Sequence, residues 1–246
     1  MDLKIKNINS SNTINGKTAG INNHAKTQDD YSNFTIAVID DFDSPDERDW
    51  TWNVNASRFI ADGFPKTAYV AGIPNSLRPF HDPDGPEAKV LGIQVAYNRK
   101  GDNWFEFYPT STNDDGEATA HEIPLKGNVS HLDFWVWGSG YRYYLEVMLR
   151  DSDGRVRVLP VCPTDFHGWQ NMIVSIPTSI NQKSRLRSGP KTLSFVGFRV
   201  RSDPAEFVDD YVIYIDSLRY TTYTLSNIYD GYDLQSIDFD SVGQGE

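Results

Sequence analysis

Apolar and polar positions alternate with a period of two residues along most of the chain from residue 34 onward. The alternation is clearest over residues 131–159, where two successive runs carry an apolar side chain at every second position and glycine-containing turns separate the runs. A two-residue period is typical of β-strands, and Asp153-Gly154 is a dipeptide favoured in tight hairpin turns. We therefore predict three consecutive strands here, joined as an antiparallel meander.

The first strand of this meander is apolar on both faces. One face carries Phe134 and Val136, and the other carries Trp135 and Trp137. A strand with so few polar positions is expected to be covered on both sides. We predict that the two tryptophans contact either a second molecule or another part of this chain, for which the long segment 62–88 is the internal candidate.

Further runs of the same kind lie at 34–38, 90–97, 104–108, 169–176, 192–200 and 210–220. Residues 62–88 are predicted to form a loop, because their five prolines limit the hydrogen bonds of a β-ladder. No helical pattern interrupts the strands, so we predict an all-β protein, an antiparallel two-sheet β-sandwich of jelly-roll type. The segment Tyr214-Ile-Asp216-Ser-Leu218 also resembles the closing strand of galactose-binding-like jelly rolls and carbohydrate-binding modules.

Polarity divides the chain into three parts. Residues 1–33 are polar and aperiodic, and we predict a flexible arm because such a sequence has little apolar surface to bury. Residues 34–225 contain all the predicted strands and are predicted to form a single β-sandwich domain. Residues 226–246 have five acidic residues and no lysine or arginine, which predicts an acidic tail.

The charge balance excludes several classes of partner. The formal net charge is −11 at pH 7, whereas proteins that bind nucleic acid or anionic membranes present a basic face. No apolar run approaches the roughly 20 residues that span a bilayer, so we predict no nucleic-acid partner and no membrane insertion. Residues 1–33 show no apolar segment of an export signal, and the single Cys162 permits no internal disulfide.

Catalytic chemistry has little support in the sequence. The chain contains no phosphate-binding glycine loop, no zinc-protease motif and no nucleophile elbow. Glu106 and Glu146 lie on predicted strands and are the one candidate acid and nucleophile pair of a glycosidase. The simpler alternative is that each carboxylate faces solvent or a basic neighbour such as Arg150. We therefore predict a protein without enzymatic activity.

A calcium ion is the one cofactor for which the sequence offers ligands. Asp40 or Asp41, on the first predicted strand, would pair with Asp216 on the last, and carboxylate oxygens suit calcium. The alternative is that these residues are solvated at the edges of the sheets.

Aromatic side chains gather in and after the first strand of the meander. Trp135, Trp137, Tyr141, Tyr143 and Tyr144 would suit either stacking on a sugar or contact with another protein, although most aromatic residues on strands belong to the core. The sequence leaves these three alternatives open.

A set of short segments in a fixed order carries a family resemblance. The segments include Ala56-Ser-Arg-Phe59, Gly63-Phe-Pro-Lys66, Gly72-Ile-Pro-Asn-Ser-Leu77, Val90-Leu-Gly-Ile93, Lys100-Gly-Asp-Asn-Trp104, Ile123-Pro-Leu-Lys-Gly127, Phe134-Trp-Val-Trp-Gly138, Tyr144-Leu-Glu-Val147, Phe198-Arg-Val200 and Tyr214-Ile-Asp216. Together they resemble the FlaA family of spirochaetes, the sheath proteins of the periplasmic flagellar filament, over about residues 42–222.

The resemblance implies a structural role. A FlaA-like protein would lie in the periplasm, coat the core flagellin (FlaB-type) subunits beside other filament sheath proteins, and influence filament stiffness, curvature and motility. It would have no catalytic residues. The alternative function is a carbohydrate-binding jelly-roll module without catalytic activity.

Two groups of residues are our candidates for the assembly surface. The first group is Trp135 and Trp137, with Tyr141 and Tyr143 on the same assembly or ligand face. The second is the acidic loop before the last predicted strand, with Pro204, Glu206, Asp209 and Asp210.

Overall fold

The computed structural model describes residues 34–113, 116–183 and 192–223. The predicted arm, residues 1–33, and the predicted tail, residues 226–246, lie outside the described residues. Contacts between residues divide the chain into a unit of Ile36–Thr222 and a second unit of Met1–Thr35 with Tyr223–Glu246. Of the second unit, the structure describes only residues 34, 35 and 223.

Strands make up most of the described chain. They are β1 Phe34–Asp40, β2 Thr51–Ala56, β3 Lys66–Ala71, β4 Lys89–Val95, β5 Trp104–Thr112, β6 Ala118–Ala120, β7 Ile123–Pro124, β8 Asn128–Ser139, β9 Tyr143–Arg150, β10 Val156–Pro163, β11 His167–Ser175, β12 Ser194–Ser202 and β13 Tyr211–Tyr223. Two short 3-10 helices occupy Pro45–Glu47 and Arg78–Phe80.

The strands form two antiparallel sheets, as the sequence predicts. The first sheet has the order β11-β8-β13-β4-β3, with β1 also paired to β13. The second has the order β10-β9-β12-β5-β2, with β6 beside β5 and β7 beside β12. The all-β sandwich is therefore confirmed.

Aromatic side chains join the two sheets in the core. Phe134 of the first sheet meets Phe198 of the second with ring centroids 5.0 Å apart, and Phe198 stacks on Phe107 at 4.9 Å. All three are fully buried. Offset and edge-on contacts of this kind add to the stabilisation that burial itself gives.

The predicted meander is wrong in its first half. Strand β8 pairs with β11 and β13, whereas β9 belongs to the other sheet, so the chain crosses between the sheets at Gly140. Only the second turn forms a hairpin, in which Gly154 has a φ of +83° and the N–H of Asp151 donates to the carbonyl of Arg155 at 2.9 Å. An alternating strand has one apolar face whether its neighbour lies beside it or across the core, so alternation alone does not distinguish the two.

The sequence also misses four strands, β2, β3, β6 and β7. Strand β3 lies inside the predicted loop 62–88, in the proline-free stretch after Pro65, and pairs with β4 over its whole length. Strand β2 contains Asn53 and Asn55, a residue type depleted in strands, yet it pairs with β5 over six residues. Pairing with a long neighbour overrides the local preference in both cases.

Candidate functional site

A row of aromatic side chains crosses the outer face of the first sheet. Because Phe134 and Val136 of β8 point into the core, Trp135 and Trp137 point outward. Trp169 of β11 lies directly opposite Trp137. The Trp137 ring also meets the Tyr214 ring of β13 edge-on, with centroids 5.3 Å apart. We call Trp169, Trp137 and Tyr214, all half-buried, the aromatic stripe.

A glycine continues the stripe on the next strand. Gly92 of β4 is paired with Tyr214, and a Cβ atom at Gly92 would lie 2.7 Å from Cε1 of the tyrosine. The ring of Tyr214 can therefore lie over the backbone only because residue 92 has no side chain. A cavity of about 330 Å³ adjoins this contact and is lined by Lys66, Ala68, Gly92, Ile93, Gln94, Val212 and Tyr214.

Trp135 lies next to the stripe on the same face. It is paired with Asn171 of β11, but the side chain of Asn171 donates to Asp133 Oδ1 at 3.0 Å instead. The same carboxylate oxygen accepts from Arg219 at 3.0 Å. The indole N–H of Trp135 is buried and finds no hydrogen-bond acceptor among the residues that the structure describes. Leaving such a donor unpaired costs about 1–3 kcal/mol.

The structure separates the two tyrosines from this face. Tyr143 is fully buried and stacks on Tyr211 with centroids 4.0 Å apart, and its hydroxyl donates to the carbonyl of Phe207 at 3.1 Å. Burial raises the pKa of Tyr143. Tyr141 is half-buried and packs edge-on against both rings. The assignment of Tyr143 to an assembly face is thus wrong, because its strand belongs to the second sheet and its side chain lies in the core.

Two carboxylates of the acidic loop already accept hydrogen bonds from other groups of the protein. Glu206 accepts from the backbone N–H groups of Arg142 at 3.0 Å and Phe207 at 2.8 Å, and these bonds lower the pKa of its carboxyl. Asp210 accepts from Gln94 at 2.5 Å, which brings the end of the loop to the cavity beside the stripe. Pro204 and Asp209 are exposed.

Among the calcium candidates, Asp40 already uses both of its carboxylate oxygens to accept hydrogen bonds within the protein. Its Oδ1 accepts from the N–H of Phe42 at 2.9 Å, and its Oδ2 accepts from Trp52 Nε1 at 2.7 Å and from Arg48. Burial raises the pKa of Asp40, although these donors oppose the effect.

The other two calcium candidates face a common cavity. Asp41 and Asp216 line a space of about 350 Å³ together with Asp43, His81 and Arg219. Burial raises the pKa of Asp216 to about 7, and the negative charges of Asp43 and Asp41 add to the effect. Within the described ranges, no group of three or more acidic, histidine or cysteine side chains is arranged to hold a metal ion. The calcium site stays a prediction.

The glutamates considered for catalysis lie on the outer face of the second sheet. Glu106 and Glu146 stand on either side of Arg199 of the central strand β12. Glu106 binds Arg199 at 2.6 Å, and Glu146 binds Arg201 at 2.8 Å. Arg150, the basic neighbour expected from the sequence, pairs with Glu122 instead. The two glutamates thus belong to a ladder of ion pairs.

The sequence identifies Trp135 and Trp137 but misses Trp169 and Tyr214. Both lie on alternating strands, yet only the pairing of β8 with β11 and β13 brings them beside Trp137. Gly92 gives the one local signal, since a glycine inside an apolar strand often marks a close approach. No helix among the described residues has the length and apolar character needed to cross a membrane.

Solved structures similar to this chain include sugar-binding domains. A carbohydrate-binding module of the β-sandwich superfamily matches 74% of this chain and 61% of its own length, with 14% identity and a TM-score of 0.41. The family 11 carbohydrate-binding module of a Clostridium thermocellum cellulosomal cellulase matches 77% of this chain and 95% of its own, with 9% identity and a TM-score of 0.40.

Sequence comparison gives a family. A flagellar filament outer layer-like protein of Brachyspira hyodysenteriae (strain ATCC 49526 / WA1) is 28% identical over 129 residues, which are 52% of this chain and 55% of the relative. The match therefore spans about half the length of that relative. The family model of the flagellar filament outer layer protein FlaA matches residues 30–230. The chain belongs to the family of flagellar filament outer layer proteins, FlaA.

Proposed function

We propose that this protein is a sheath subunit of a periplasmic flagellar filament. In this role it coats the core flagellin (FlaB-type) subunits, lies beside other sheath proteins, and influences filament stiffness, curvature and motility without catalysing a reaction. The observation that carries the proposal is the match of the FlaA family model to residues 30–230.

The aromatic stripe and Trp135 are the part of the surface that we assign to the filament core. Large half-buried aromatic side chains are typical anchors of protein interfaces, where their rings provide much of the binding energy. The unpaired indole N–H of Trp135 supports this assignment, since a partner or a small rearrangement on binding could supply its acceptor.

Co-sedimentation with filaments tests the role and the surface together. We expect the wild-type protein to pellet with purified core filaments and the Trp135→Ala/Trp137→Ala variant to remain in the supernatant. The loss should be large, because two central aromatic anchors often contribute 2 kcal/mol or more each, roughly a thirtyfold change in affinity for one.

A matched variant separates loss of the surface from loss of the fold. Trp104→Ala/Tyr108→Ala removes two half-buried aromatic side chains from the outer face of the second sheet. We expect this variant to pellet like the wild type and both variants to keep the circular dichroism of a β-protein. Failure of the wild-type protein to bind any core filament would refute the sheath role, whereas normal pelleting of Trp135→Ala/Trp137→Ala would refute only the surface.

Binding of carbohydrate is a second candidate function, supported by the cavity beside Tyr214. An aromatic wall next to polar side chains such as Lys66 and Gln94 is the usual chemistry of a small-ligand site. Affinity electrophoresis in gels containing soluble polysaccharide would test it without any filament. We expect retardation of the wild type and reduced retardation of Tyr214→Ala. Equal mobility with and without each of a broad set of polysaccharides would argue against this function.

A further inference from the structure

Strand β11 forms a free edge of the first sheet. It pairs with β8 from His167 opposite Ser139 to Ser175 opposite His131 without a shift in register, and with no other strand that the structure describes. Two hydrogen bonds at the ends of β11 show which of its residues bond to β8. The N–H of Gly140 donates to the carbonyl of Phe166, and the N–H of Ile176 donates to the carbonyl of Ser130. The even-numbered residues of β11 therefore direct their backbone N–H and C=O groups toward β8. The odd-numbered residues direct these groups away from the sheet.

Two other edge strands, β10 and β3, carry features that discourage pairing with another chain. Strand β10 contains Pro160 and Pro163 and has a shift in its register. Strand β3 begins with Lys66, directly after Pro65. Such prolines, lysines and irregularities are common protections of sheet edges. Strand β11 has no proline and, apart from His167 at its start, no basic or acidic side chain, and Ile173 is 63% exposed.

The distribution of charge also favours β11 as the contact between two copies of the chain. The formal net charge of −11 makes copies of this chain repel one another. Residues 166–182 contain no aspartate, glutamate, lysine or arginine. Two copies can therefore approach along β11 without burying a like-charged pair.

We propose that β11 of one copy pairs with β11 of a second copy in an antiparallel arrangement with its two-fold axis at Asn171. This register places Trp169 opposite Ile173 of the second copy, twice, on the outer face. In this register the hydrogen-bonded pairs between the two β11 strands consist of odd-numbered residues. These are the residues whose N–H and C=O groups are free in the single copy, so each of these groups gains a partner. Aromatic and β-branched side chains are a favourable cross-strand pair.

This contact deepens the proposed function and rests on it for its biological setting. A pair of nine-residue strands is small compared with stable interfaces, which bury roughly 1,200–2,000 Å². The dimer is therefore weak in dilute solution and forms readily where copies are held side by side, as in an outer layer, because the effective concentration there is high.

Sedimentation equilibrium of the purified full chain, without filaments, tests the contact. We expect a concentration-dependent dimer in the wild type. Ile173→Lys places a charge in the contact and should weaken dimerisation at least about tenfold. The matched change Val156→Lys, at a 44% exposed position on β10, should leave dimerisation unchanged. A wild type that stays monomeric up to about 1 mM, or equal effects of the two lysines, would overturn the proposal.

Cross-linking tests the register. In a Cys162→Ser background, Asn171→Cys places two thiols opposite each other at the axis, within the Cα separation that disulfides accept. Ser175→Cys places them at opposite ends of the paired strands, about 27 Å apart. Mild oxidation should give a covalent dimer only with Asn171→Cys. Cross-linking of Ser175→Cys to the same extent would contradict the register. Neither experiment contains a filament. The β11 contact can therefore fail these tests while the protein still binds filaments, and filament binding can fail while the β11 contact is observed.

Discussion

Asp216 shows how one residue couples the fold to pH. Its carboxyl is only 5% exposed, and burial together with the nearby carboxylates of Asp43 and Asp41 raises its pKa to about 7. A carboxyl whose pKa is raised in the folded state favours folding while it is protonated. Its contribution is complete at acid pH, below its pKa in the unfolded chain, and is lost as pH rises through about 7.

We predict that Asp216→Asn stabilises the protein at pH 8. The substitution removes a buried negative charge, and a shift of about three pKa units corresponds to an upper limit of about 4 kcal/mol. Urea unfolding at pH 4, 6 and 8 would measure it, with exposed Asp209→Asn as the control. The part of the pH dependence that comes from Asp216 should disappear in Asp216→Asn and persist in the control. The same pH profile in both variants would contradict the prediction.

Calcium gives a separate test of the same cavity. If Asp41 and Asp216 bind calcium as the sequence suggests, a few millimolar calcium should raise the melting temperature of the wild type at pH 8, because a ligand that binds only the folded state stabilises it. The rise should vanish in Asp41→Ala and with a chelator. An unchanged melting temperature in the wild type would remove the two residues as calcium ligands.

At the scale of elements, the sequence predicts which face of a strand lies in the core better than it predicts which strands are paired. The alternation in β8 correctly separates the inward Phe134 from the outward Trp137. It does not reveal that β8 lies between β11 and β13, because strand pairing joins segments that are distant in sequence. The position of Tyr143 is hidden for the same reason, because the turn at Gly140 has the sequence of a hairpin but carries the chain to the opposite sheet. The aromatic stripe is thus predictable only in part.

The crossover at Gly140 leads to a prediction about stability. Its φ is +86°, and a Cβ atom there would lie 2.3 Å from Cε1 of His167. Gly63 has a similar φ of +80°, but apart from its two chain neighbours no described residue has an atom within 4 Å of such a Cβ. Gly63→Ala should cost about 1–2 kcal/mol from backbone strain alone, and Gly140→Ala should cost more. Chemical denaturation would compare them, and equal losses would show that His167 moves aside freely.

The whole molecule combines a strong negative charge with an aromatic outer face. Copies packed in a layer repel one another, and added salt screens this repulsion, since the Debye length falls from about 10 Å at 0.1 M to about 3 Å at 1 M. Contacts made by aromatic rings are much less sensitive to salt than ion pairs. The balance between the two sets how the layer responds to ionic strength.

We predict that binding to filaments is maintained or strengthened as sodium chloride rises from about 0.05 to 0.5 M. Co-sedimentation across this range would measure it, with Trp135→Ala/Trp137→Ala as the comparison. Release of the protein at high salt would instead indicate a contact made by charged residues, and Glu206, Asp209 and Asp210 of the acidic loop would be the first to replace.

The ladder of arginine–glutamate pairs has a consequence for a coated filament. If the aromatic stripe faces the core, the opposite face, with Glu106, Glu146 and their arginine partners, faces outward. Because these charges are already paired within one sheet, the outward face offers few free charged groups for ion pairs with a neighbouring filament, and the net charge of −11 on each copy repels that neighbour. Coated filaments should then scatter less light through bundling than bare cores at equal mass, and heavier bundling of the coated form would contradict this.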